Sequence, residues 1–212
     1  PRGARTRATR ILVEPDARVP QTVTTRPADN PFASRRIDRL TYRFPEGGLR
    51  PIVERLRRAD SRGAVVGPHG SGKTTLLEAL ADRLDGRPVR LGLNAETPRP
   101  LDVAIAALPK SVGPEHTVLI DGAEQLGRWA WWRLARRVKD AGIVVIASHS
   151  PGRFPTIHEC PTSPQLLAEL VGELAPEMVE ETDLDALFHR HHGNIRLCFR
   201  ELYDLWARRE PG

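Results

Sequence analysis

The chain has 212 residues, 40% hydrophobic and 28% charged, with 17 glycines and 19 prolines; that is enough apolar material for one domain core and excludes wholesale disorder. Its formal charge of +5 is concentrated at the start, because residues 1–36 hold eight arginines against Glu14, Asp16 and Asp29, whereas residues 37–212 balance 24 Lys and Arg with 24 Asp and Glu. No apolar run approaches the roughly 18–20 residues of a membrane helix, no secretory leader is legible, and two cysteines, Cys160 and Cys198, are too few for a disulfide scaffold, so a cytoplasmic protein without a membrane segment is expected.

Residues 1–31 are rich in Pro, Thr and Arg without a sustained period, and are expected to form a basic extended arm. Residues 49–59 place Ile52, Val53 and Leu56 at helical spacing. Strand and helix signals then alternate. Residues 64–66 read as a strand, 73–84 as a helix with Leu76, Leu77, Leu80 and Leu84 on one face, 89–93 as a strand and 101–108 as a helix. Residues 117–120 read as a buried strand, 124–140 as one helix, 143–147 as a second buried strand and 156–159 as a last one. From Ser163 onward the pattern is helical, over 164–174, 183–191 and 194–209. Strands separated by helices predict an α/β fold with a parallel sheet of about five strands, residues 32–161, followed by a small C-terminal helical lid, residues 162–212.

Residues Gly67, Pro68, His69, Gly70, Ser71, Gly72, Lys73 and Thr74 fit G-x-x-x-x-G-K-[ST], between an apolar strand and a helix start. The glycines let successive backbone N–H groups turn inward toward an anion, and the helix N-terminus adds partial positive charge. Lys73, one of three lysines in the chain, is placed to reach β- and γ-phosphates; Thr74 is a candidate Mg²⁺ ligand, and Thr75 completes the candidate cradle.

A second block, Val118-Leu119-Ile120-Asp121-Gly122-Ala123-Glu124, puts a carboxylate at the end of a buried strand, where parallel sheets bind ligands. Asp121 is the second candidate metal residue. Glu124 reads either as the group that orients or deprotonates an attacking water or as a helix-start carboxylate favoured by the dipole. Ser148 and His149, at the next strand end, read as γ-phosphate or water contacts or as an ordinary turn. Asn194 is a plausible N-cap, and Arg196, in the first turn of the last helix, reads as a γ-phosphate contact or as a surface arginine.

Together these blocks resemble the P-loop ATPases of the additional-strand class, in particular the AAA+ and STAND (NACHT-like) families, over roughly residues 32–205. The resemblance implies that Gly67–Thr74 is Walker A, Asp121 the Walker B aspartate and Arg196, in Gly193-Asn194-Ile195-Arg196, the sensor 2 arginine. Gly122 stands where AAA+ proteins usually carry Glu; Asp-Gly-x-Glu is closer to the STAND pattern and assigns the second acid to Glu124. Ala147-Ser148-His149-Ser150-Pro151 is similar to a STAND strand end, with His149 where Arg is usual. Residues 150–155 are short for the helix that often precedes an arginine finger, leaving Arg153 as the candidate there. Asn30-Pro31-Phe32 through Ile37 resembles the segment that wraps adenine. The implied activity is MgATP binding and hydrolysis by a nucleotide-dependent switch. A small-molecule or nucleotide kinase, a non-hydrolysing ATP-binding scaffold and a DNA-associated ATPase are the other readings.

Residues 124–140 also carry Trp129 and Trp132 on the face of Arg128, Arg133, Arg136 and Lys139, opposite Leu126, Ala130, Trp131, Leu134 and Val138. A protein partner is expected at this face or at the arm, ahead of nucleic acid. His189, His191 and His192 lack the spacing of a closed zinc site.

Overall fold

Each central strand is apolar on both faces, so the sheet has to be covered on both sides. The computed structural model describes residues 29–40, 42–44 and 47–209; the expected arm lies, but for its last residues, outside them. Strands β1 (Arg62–Val66), β2 (Arg87–Gly92), β3 (His116–Asp121), β4 (Ile143–Ser148) and β5 (Thr156–Glu159) form one sheet in the order β2-β3-β4-β1-β5. All the pairings are parallel. Because β4 lies between β1 and β3, the loop after β1 and the carboxylate ending β3 face each other across an intervening strand.

Period-two alternation sends neighbouring side chains to opposite faces. Ala64, Val66, Val118, Ile120, Val144 and Ile146 pack toward α4 (Pro100–Ala107) and α5 (Arg128–Arg137). Val65, Leu119, Val145 and Ala147 pack toward α2 (Arg50–Arg58) and α3 (Lys73–Ala81), meeting Ile52, Leu56, Leu76 and Leu80. The strands therefore end on a common edge at Val66, Gly92, Asp121, Ser148 and Glu159.

A third apolar cluster joins the C-terminal helices. α6 (Pro164–Leu174) contributes Leu167 and Val171; α7 (Glu177–Glu181) gives Met178; α8 (Leu184–Arg190) gives Leu187 and Phe188; α9 (Ile195–Ala207) gives Ile195, Cys198, Phe199 and Leu202. Side-chain caps define three of their starts: Ser163, Asp183 and Asn194 accept from the N–H groups of Leu166, Ala186 and Leu197. Phe32, just before α1 (Ser34–Ile37), is buried in this helical cluster, and Asn30 Nδ2 donates to Tyr203 O at 2.9 Å. The chain is thus fastened to α9 from Asn30 onward.

The single helix expected over 124–140 is instead a 3₁₀ turn, Ala123–Gln125, a break at Leu126 and Gly127, and then α5. Leu126 is extended and buried, so its burial ends the turn before a second helix starts. The short helices α1 and α7 escape the periodicity reading because four or five residues cannot establish a 3.6-residue repeat. Among the described residues no helix is long and apolar enough to cross a membrane.

Candidate functional site

The strand-end edge opens into a cavity of about 680 Å³, roofed by α6 and α9. Its polar wall comes from the β1–α3 loop, Asp121, Glu124, His149 and Arg196, and its apolar wall from residues such as Ile37, Leu40, Phe44, Leu166 and Phe199. His69, Gly70, Ser71, Gly72, Lys73, Thr74 and Thr75 all line it.

Gly67 and Pro68 have another job. The Gly67 N–H donates to Ser148 O at 3.2 Å, continuing the β1–β4 ladder, and Pro68 has no N–H. Their carbonyls instead accept from Lys73 Nζ, at 2.7 and 2.6 Å. Donors that could face an anion therefore begin at His69. Burial lowers the Lys73 pKa, while Glu124, Cys160 and Asp121 act in the opposite sense.

Gly70 has φ +72°, and a Cβ there would lie 2.4 Å from Asn194 Oδ1 and 2.9 Å from the Arg196 backbone nitrogen. The loop and the capped start of α9 are in direct apposition, which brings Arg196 to the cavity.

Thr74 Oγ1 donates to Asp121 Oδ2 at 2.6 Å, so these hard-oxygen groups sit together. Their chemistry fits Mg²⁺, which takes one or two protein oxygens and completes its shell with water and phosphate. Among the described residues no group of three or more His, Cys, Asp or Glu could hold a metal alone.

Glu124 reaches the cavity from the 3₁₀ turn, after Gly122 at φ +75°. Its Oε1 is 3.2 Å from His149 Nε2; its Oε2 is buried without a hydrogen-bond partner. Burial pushes His149 below the ordinary histidine range; Glu124 opposes that shift, and Lys73 and His69 add to it. A neutral His149 can donate its Nε2–H to Glu124. The rings of His69 and His149 meet at 3.7 Å between centroids, tilted by 64°. Ser148, by contrast, is buried and donates its hydroxyl to Ser150 O at 2.7 Å. Of the two expected strand-end contacts, it is His149 that lines the cavity.

Arg153 turns inward within its own chain: a guanidinium nitrogen donates to Leu126 O and the group lies over Trp131, 4.8 Å from the ring centroid. In the segment expected to wrap adenine, Ile37 lines the cavity whereas Phe32 belongs to the helical core.

Sequence reasoning missed Tyr42 and His158. The Tyr42 ring covers Gly72, its hydroxyl lies 2.7 Å from His158 Nε2 and 3.2 Å from Cys160 Sγ, and both Tyr42 and His158 line the cavity. No motif flags them; 116 residues separate the pair, Tyr42 lying in the segment before α2 and His158 on β5.

The parallel five-stranded sheet and the loop between β1 and α3 define a P-loop NTPase fold. No family model matches the chain. It is similar to the hemin import ATP-binding protein HmuV of Streptomyces coelicolor, 28% identical over 171 residues, 71% of this chain and 60% of that protein. A chain in the structure of Drosophila ORC bound to DNA aligns with a TM-score of 0.40 at 14% identity, covering 76% of this chain and 61% of that one. The chain thus spans about three-fifths of each of these proteins.

Proposed function

We propose that this protein binds ATP with Mg²⁺ and hydrolyses it, and that the state of the γ-phosphate is passed to the C-terminal helices. The observation that carries this reading is the convergence of Lys73, Thr74, Asp121 and Glu124 on one cavity at the strand ends. In this reading Lys73 leaves the Gly67 and Pro68 carbonyls for phosphate oxygens, while loop N–H groups from His69 onward hold the triphosphate. Thr74 and Asp121 would hold Mg²⁺, which supplies charge neutralisation on the phosphates when bound. The similarity to an ATP-binding protein favours ATP.

Glu124 takes a proton from water as the water oxygen bonds to the γ-phosphorus. The bond to the bridging oxygen breaks, and ADP leaves with that electron pair. The unpartnered Glu124 Oε2 supports this role, and His149 holds the other carboxylate oxygen. Arg196 supplies positive charge near the loop, and the close approach of Gly70 to α9 supports a link between phosphate occupancy and helix position. Ser148 holds the turn that presents His149.

Calorimetric titration with MgATP and single-turnover phosphate release test the proposal. Wild type is expected to bind and release phosphate, Lys73→Ala to lose binding, and Glu124→Gln to bind while releasing phosphate roughly 10²–10⁴-fold more slowly. Unchanged ATP affinity in Lys73→Ala overturns the assignment.

A further inference from the structure

Residues 125–139 contain no Asp or Glu, yet hold Arg128, Arg133, Arg136, Arg137 and Lys139. Trp129 and Trp132, on this stretch, are 65% and 54% exposed. The guanidinium of Arg133 lies 5.0 Å from the ring centroid of Trp129, and that of Arg136 lies 5.0 Å from that of Trp132. Two equal units result, each an indole with an arginine four residues on, displaced along α5 by three residues. Side chains three apart on a helix are neighbours, with Cβ atoms about 5–6 Å apart. Each indole therefore keeps surface open to solvent beside a cation, and the pattern repeats once.

We propose that this face of α5 binds single-stranded nucleic acid, with Trp129 and Trp132 stacking on bases and Arg133 and Arg136 meeting the adjoining phosphates. The charge excludes two nearer occupants. The first 36 residues are themselves strongly basic, and a second copy of α5 would set arginines against arginines. What complements the face is a polyanion that repeats a planar apolar group and a phosphate, and single strands combine these. Arginine beside an aromatic side chain adds cation–π attraction to the stacking of bases. Arg137 is set apart from this role, because it donates to the carbonyls of Pro109 and Lys110. The inference does not depend on ATP binding.

Fluorescence anisotropy of labelled 20-nucleotide oligo-dT and oligo-U, titrated with the full chain across a salt series, tests it. Binding of either is expected, and the comparison assigns DNA or RNA. Trp129→Ala/Trp132→Ala should weaken binding roughly 30-fold or more, since each stacked base is lost with its indole. Arg133→Gln/Arg136→Gln should lower the salt slope by about 1.4, the value for two lost contacts to a single strand. Both pairs are surface substitutions, and unchanged melting temperatures would verify the fold. Wild-type affinity in the double tryptophan variant overturns the proposal, as does equal binding of duplex DNA, or competition by polyglutamate as effective as by unlabelled oligonucleotide.

Discussion

Thr74 Oγ1 and Asp121 Oδ2 are joined at 2.6 Å, tying the first turn of α3 to the end of β3 across the intervening strand β4. The hydroxyl and carboxylate thereby lie side by side at the cavity. Under the proposed function, preorganisation of this kind would reduce what ordering a metal costs.

Thr74→Val keeps the shape and removes the oxygen. It is expected to abolish the gain in ATP affinity that Mg²⁺ provides, whereas Thr74→Ser should retain most of it. The hydrogen bond is exposed, so folding stability should fall by only about 0.5–1.5 kcal/mol. Titration of each variant with ATP, with and without Mg²⁺, measures the effect; a Thr74→Val protein with full Mg²⁺ dependence would remove Thr74 from the metal shell.

Gly70 tests the link between the loop and the helical cluster. A Cβ there would lie 2.4 Å from Asn194 Oδ1, the atom that caps α9, and the backbone is left-handed. Gly70→Ala should therefore cost about 1–3 kcal/mol from backbone strain and displacement of α9. Gly92→Ala is the control, since a Cβ at Gly92 meets nothing within 4 Å. Chemical denaturation of the two variants should separate them clearly; equal stabilities would mean that α9 yields freely.

The sheet was legible because its strands are apolar runs punctuated by Gly, Pro and Asp, and the loop because its spacing admits few other structures. The break at Leu126 and Gly127 was not legible, since Leu126 continues the apolar stripe of α5 and only its extended backbone separates turn from helix. Likewise, Gly67 belongs to the motif, yet its N–H completes the β1–β4 ladder. The contact of His69 with His149 depends on which strands become neighbours, and that of Tyr42 with His158 on where the segment before α2 lies against β5; local periodicity carries no record of either.

His149 is expected to act through Glu124. His149→Phe removes the donor to Glu124 Oε1 and should reduce phosphate release about 10-fold or more while leaving ATP affinity within a factor of about 3. His149→Gln, which can still donate, should recover part of the rate. Single-turnover release and equilibrium binding measured on the same samples distinguish positioning from binding; parallel losses in both would contradict it.

His158 predicts the direction of acid sensitivity. Burial lowers its pKa, Arg55 lowers it further and Glu159 acts in the opposite sense. The unfolded chain, with an ordinary histidine pKa near 6.5, therefore binds the proton more readily than the folded one. Stability must rise with pH between the two values: the contribution is fully present above the unfolded pKa and is lost as pH falls through the folded one. His149 is depressed as well, so the informative comparison is wild type against His158→Gln, which leaves His149 in place and can still pair with Tyr42. Melting curves between pH 7.5 and 5 should show wild type losing stability more steeply than His158→Gln, with the difference confined to the region below about pH 6.5. Parallel pH profiles for the two proteins would show that His158 takes up its proton equally well in the folded and unfolded chains.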